Sequence, residues 1–148
     1  MLQSKLLNHA KISLCFEVSQ VARFYNDSPL LYRWIEGWVH GCTIVGRRPL
    51  GKNVDRLMDW ENSAIDLPDD DANQIEFLES LLADPERLSQ NGVRNHRECL
   101  LRHDWRYRLR DILTTVNLPI PDQLTWEIQA LQDKVKRLSE ESHLPIYI

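Results

Sequence analysis

Arg33 and Glu36 stand three residues apart in the run LLYRWIEGWVH, a spacing that makes them neighbours on a helix surface. A carboxylate so placed can accept two hydrogen bonds from the hydroxyls of a ribose, and Arg33 can pair with phosphate. Just ahead of them, Asp27-Ser28-Pro29 reads as a helix start: a capping residue, then proline where its missing N–H costs nothing. The unpaired amides and the dipole of such a start, over Ser28, Leu30 and Leu31, favour an anion. Spacing by itself is met more simply by a solvated helix carrying a surface ion pair.

Other chemistry-bearing residues have plainer explanations. His40 and Cys42 flank Gly41, but two ligands do not make a metal site and neither CxxC nor HExxH occurs, so no metal is expected. Cys15, Cys42 and Cys99 are odd in number and lie in apolar or helical stretches, as reduced, buried thiols do. No local base supports Cys15 as a nucleophile. The most basic stretch, RHDWRYRLR, carries Trp105, Leu109, Ile112 and Leu113 on an apolar face, with Asp104 and Asp111 diluting its charge; a solvated, capped helix is expected rather than a nucleic-acid surface. Trp34 and Trp38, one turn apart, read as core. Asp69-Asp70-Asp71 reads as a helix-initiating acidic loop.

These residues need elements to position them. Ile12, Leu14, Phe16 and Val18 alternate strictly and predict a strand after a short helix from Leu2 to His9. A helix through LLYRWIEGWVH stops at Gly41, and CTIVG follows as a short β-branched run, the appearance of a buried parallel strand. A brief helix at NVDRLMDW and a third strand at Ser63–Leu67 come next, closed by Pro68. From Ala72 the pattern is helical, with Ile75, Leu78, Leu81 and Leu82 as one stripe. Asp84-Pro85 caps the next helix and Asp104 another. Beyond Pro119 and Pro121, Leu124, Ile128, Leu131, Val135 and Leu138 form a stripe suited to packing against a helix.

Strand, helix, strand, helix, strand and then helices is the order of a parallel α/β sheet covered on both faces. The expected fold is a partial Rossmann-like sheet of about three strands with a helical C-terminal half. One domain is expected over residues 1–116, followed by a proline-bounded helix and tail over 117–148. Length suffices for a core: 148 residues, 43% hydrophobic and 27% charged, are ordinary globular chemistry. The net charge of -4 gives no reason to expect nucleic acid or an acidic membrane as partner. No apolar run approaches the roughly 18 residues a membrane span needs. No signal peptide is visible, so a cytoplasmic location is expected.

The string RWIEGWVHGCTIVGRRP resembles the R-x-x-E-x-x-x-x-G-x-x-x-V region of GT-B glycosyltransferases of the group 1 and CgeB-like types, with Arg33, Glu36, Gly41 and Val45 in register. ENSAIDLPDD resembles the strand and loop that precede the family's closing helices. LLADPERLSQNGVRNHRECLLRHDWRYRLRDIL resembles those helices, with L-x-D-P and H-x-W-x-x-R phrases. The resemblance spans Leu6 to Leu113.

It implies the C-terminal, donor-binding domain, with Glu36 on the ribose of a nucleotide-sugar and Arg33, Ser28, Leu30 and Leu31 toward phosphate. Arg47, Arg48 and Lys52 are further candidate phosphate contacts. The nucleotide-sugar is a donor substrate, and no cofactor is implied. Ser28 stands where many group 1 enzymes carry a sugar-binding glutamate. The diphosphate-neutralising Arg and Lys and the acceptor domain belong upstream in such enzymes. The chain is therefore expected to be an N-terminally truncated, hexosyltransferase-like half, inactive without an N-terminal domain. The alternative is a non-catalytic interaction module that dimerises through Leu124, Ile128, Leu131, Val135 and Leu138.

Overall fold

A computed structural model of the protein describes residues 2–18, 28–51 and 53–142. In chain order the elements are α1 (Leu2–Leu7), β1 (Ile12–Cys15), α2 (Tyr32–Val39), β2 (Thr43–Gly46), α3 (Val54–Leu57), β3 (Ile65–Asp66), α4 (Asp71–Leu82), α5 (Pro85–His103), α6 (Trp105–Thr115) and α7 (Asp122–Ser142). The chain forms two units, Met1–His96 and Arg97–Ile148. No helix among the described residues is long and apolar enough to cross a membrane.

In the first unit the strands form a parallel sheet ordered β1-β2-β3. Ile12 pairs with Thr43 and Leu14 with Val45 on one side; Val45 pairs with Ile65 on the other. The β-branched run at β2 is the central strand and is buried along its whole length, as its composition predicts. Successive strand residues face opposite ways. Val45 enters a cluster with Leu67, Leu81, Phe77 and Leu78, so α4 covers that face. Ile44 faces α2, where a Cβ at Gly37 would run into its Cδ1. The sheet is thus an α/β layer with helices on both faces, a partial Rossmann-like fold.

The tryptophans expected to be core are core. Trp34 and Trp38 are fully buried, with ring centroids 6.4 Å apart, and Trp60 meets Trp38 edge-on at 4.7 Å. Two of the three polar ends are bonded: Trp38 Nε1 donates to the Ser63 carbonyl at 2.8 Å, and Trp60 Nε1 to Asn95 Oδ1 at 2.9 Å. Three helix starts follow the sequence closely. Asp70, Asp84 and Asp104 each accept a first-turn backbone N–H, from Asn73, Arg87 and Arg106.

Three expectations need correction. β1 ends at Cys15 rather than Val18 because its partner β2 is only four residues long; Leu14 and Phe16 are largely exposed and Cys15 is buried instead. On α4 the stripe narrows to Leu81 and Leu78, with Ile75 and Leu82 mostly exposed, because a three-stranded sheet offers a narrow surface to cover. On α6 the buried residue is Tyr107, with Leu113 beside it, while Trp105, Leu109 and Ile112 face solvent. The cause is α7, which lays Leu124, Ile128 and Leu131 against Tyr107 and Leu113.

Candidate functional site

In an open parallel sheet the loops beyond the strands' carboxyl ends are where ligands gather. Here those loops converge on Cys15, the last residue of β1. Its carbonyl accepts the Arg47 N–H at 3.1 Å, and its thiol points to the Arg33 carbonyl at 3.9 Å. The first turn of α2 and the start of the loop after β2 therefore meet at one strand end. Gly46 enables this crossing: its φ is +154°, and a Cβ there would run into the Cys15 carbonyl.

Ser28 ties the same corner together, but not as a helix cap. Its N–H donates to the Leu50 carbonyl at 3.0 Å, and its Oγ accepts the Val18 N–H at 3.2 Å. The side chain is fully buried. These tertiary hydrogen bonds hold Ser28 in a loop, so α2 starts at Tyr32 with Leu31 as its N-cap in extended backbone. No side chain caps it; the Trp34 N–H bonds to the Leu31 carbonyl at 3.1 Å instead. The expected start at Asp27-Ser28-Pro29 is thus displaced by several residues, and Asp27 lies outside the described residues.

Arg33 is exposed on the first turn of α2, and Glu36 is half-buried on the next. The Glu36 carbonyl receives the His40 N–H and ring Nδ1, at 3.3 and 2.7 Å, which closes the helix before Gly41. Gly41 takes φ +72°, the left-handed ending that glycine accepts freely. Arg47 and Arg48 follow β2 at the same edge of the sheet. Arg47 reaches Asp69 at 2.8 Å, with both side chains more than half exposed. Arg48 is held more firmly: its N–H donates to Asp66 Oδ1 at 3.1 Å and its guanidinium to the Met58 carbonyl at 3.2 Å and Asp55 at 3.3 Å. Lys52 lies outside the described residues.

The structure therefore brings Ser28, Arg33, Arg47 and Arg48 to one strand-end corner, with Leu30 and Leu31 leading into α2 and Glu36 one turn along it. Of Arg47 and Arg48, Arg47 is the less firmly held, since a solvent-exposed ion pair such as Arg47–Asp69 is worth little. Cys15 is the residue that sequence reading undervalued. Burial pushes its thiol pKa up, against smaller lowering effects of the Ser13 hydroxyl and the Arg33 charge, so it stays a neutral spacer rather than a thiolate. Asp66 was also missed. The only signal for it was its place at the end of β3, where a carboxylate can bind the backbone of the neighbouring loop.

Leu124, Ile128 and Leu131 are not part of this corner. They and Val135 are buried or partly buried within the second unit, so association through this stripe would require α7 to leave α6.

No curated protein and no solved structure matches the chain. A family model does: residues 4–114 match the family described as glycosyl transferase-like. That segment contains the whole strand-end corner and every described residue of the expected donor site. The chain belongs to the glycosyl transferase-like family.

Proposed function

We propose that this chain is the nucleotide-sugar-binding half of a GT-B glycosyltransferase of the group 1 or CgeB-like type. The observation that carries the reading is the convergence of Arg33, Arg47 and Ser28 on the carboxyl end of β1, inside the family-matched segment. Glu36 accepts hydrogen bonds from the ribose hydroxyls of the donor. Arg33 and Arg47 face its diphosphate, assisted by the amides at the start of α2 after Leu30 and Leu31. Arg48, tied to Asp66 and Asp55, shapes the loop and adds positive potential; Lys52 stays a further candidate phosphate contact from the resemblance alone. Positive charge of this kind is what a departing diphosphate needs. Transfer of the sugar additionally requires an acceptor-binding domain, which we assign to an N-terminal partner, in the same protein or another.

The test is a thermal-shift and calorimetric titration with UDP, GDP, ADP and their sugar conjugates. Stabilisation should grow with ligand concentration, as binding to the native state requires, and Glu36→Ala should abolish it. Equal binding to that variant removes Glu36 from the site, and no response at millimolar nucleotide removes the donor-binding reading.

One observation favours a second reading, a non-catalytic module that pairs with another copy. Trp105, Leu109, Ile112 and Val116 recur at helical spacing and are all exposed, Trp105 to 77%. Sedimentation of Trp105→Ser/Leu109→Ser beside the native chain decides it. A native dimer that becomes a monomer supports pairing, and a monomeric native chain ends it.

A further inference from the structure

The second unit holds a cavity of its own, about 730 Å³, among α5, α6 and α7. That volume lies within the range of small-molecule sites. Its apolar wall is built from Leu101, the Tyr107 ring and Val135, the last two almost completely buried. Four cations line it as well: Arg102, Arg108, Arg110 and Lys136.

The charges do not cancel. Glu98 is one of two acids in the lining, and its carboxylate is already claimed twice. Oε1 takes Arg97 at 3.0 Å and Oε2 takes Arg102 at 2.9 Å. The other acid, Asp111, is more than half exposed and stands 3.3 Å from Arg110 and 4.0 Å from Arg108. Lys136 is exposed on α7. Arg110 also lies over the Tyr107 ring, 5.3 Å from its centroid, which fixes one guanidinium above the apolar wall. The Tyr107 hydroxyl is buried with no partner at hydrogen-bonding geometry. Burial raises the phenol's pKa, and Gln132 offsets that only in part. A buried polar atom left in this state beside a basic cavity marks the place where a ligand's acceptor would be welcome.

We propose that this cleft binds a small amphiphilic phosphate monoester. Its dianionic head sits among Arg108, Arg110 and Lys136, displacing Asp111, and its apolar part lies on Leu101, Tyr107 and Val135. A dianion matches the surplus of cations better than a carboxylate does, and field focusing by low-dielectric walls strengthens the attraction. The site is separate from the donor corner and does not depend on it.

Calorimetry on the full chain tests this with three probes: octyl phosphate below its micelle concentration, inorganic phosphate, and octyl glucoside. Octyl phosphate should bind at least about tenfold more tightly than inorganic phosphate, and weaken as salt rises. Octyl glucoside, with the same chain and no charge, should not bind. Arg108→Glu/Lys136→Glu alters two solvent-facing side chains, so it should keep the native unfolding midpoint while weakening octyl phosphate at least tenfold. Glu36→Ala should leave octyl phosphate binding unchanged, which separates this site from the nucleotide site. Absence of octyl phosphate binding, equal binding of octyl glucoside or inorganic phosphate, or undiminished binding by the charge-reversed variant would each overturn the proposal.

Discussion

Gly92 of α5 meets Gly41 of the α2–β2 turn backbone to backbone, so closely that a Cβ on Gly92 would collide with the Gly41 carbonyl oxygen. Neither partner is a flexible side chain that could swing away. Gly41 is also held at φ +72°, where a larger residue is strained. Gly92→Ala should therefore destabilise the chain by about 1–3 kcal/mol, the usual cost of overpacking. Urea unfolding reads this as a lower midpoint at unchanged slope. An unchanged midpoint would mean that α5 can shift without loss.

Asn95 joins two more parts of the same unit. Its carboxamide accepts Trp60 Nε1–H at 2.9 Å and donates to the Cys42 carbonyl at 2.9 Å, in the buried interior. Asn95→Ala takes a partner from each at once. Leaving a buried polar group without its bond costs about 1–3 kcal/mol, so a loss of about 2–4 kcal/mol is expected. Tryptophan fluorescence should shift to the red if water enters to replace the missing carboxamide.

Arg97 and Glu98 are both fully buried and ion-paired at 3.0 Å, with Arg102 closing on the other carboxylate oxygen at 2.9 Å. Removing one member of a buried pair leaves its partner's charge poorly compensated, at a cost of about 3–5 kcal/mol. Glu98→Gln, nearly the same shape, should show most of that loss in chemical unfolding. Stability within about 0.5 kcal/mol of native would place the importance of the cluster elsewhere.

All three cysteines are buried thiols outside any disulfide, and burial raises each one's pKa. Cys99 is pushed up to about 12 by desolvation, with Asp104 adding to it. Folding thus favours the protonated thiol. The resulting stability is complete below the unfolded value of 9.0 and is lost as pH rises from there through about 12. Native protein at pH 8 should react slowly with a disulfide reagent, and denatured protein should react fully. Rapid modification of one thiol in the native state would contradict the burial described here.

Much of this architecture was legible in local chemistry. The β-branched CTIVG run read as a buried strand, and Asp70, Asp84 and Asp104 announced three helices through bonds formed within a few residues. Gly41 ended α2 where its spacing said it should. The ordered resemblance from RWIEGWVHGCTIVGRRP through the closing helices pointed to a glycosyltransferase domain, and the match of residues 4–114 to the glycosyl transferase-like family agrees at that level.

What sequence alone could not determine depended on partners distant along the chain. Ser28 has the composition of a helix cap, yet hydrogen bonds to Val18 and Leu50 made it a buried loop residue. Cys15 gained its place from a crossing of two loops that only strand pairing creates. On α6, periodicity offered Trp105, Leu109 and Ile112 as the inner face, but a helix has several faces and its sequence does not name its neighbour. The packing of α7 chose Tyr107, and with that choice left an apolar stripe in solvent. Local bonds are written within a turn or two of the chain; faces and pockets are decided by what arrives from elsewhere in it.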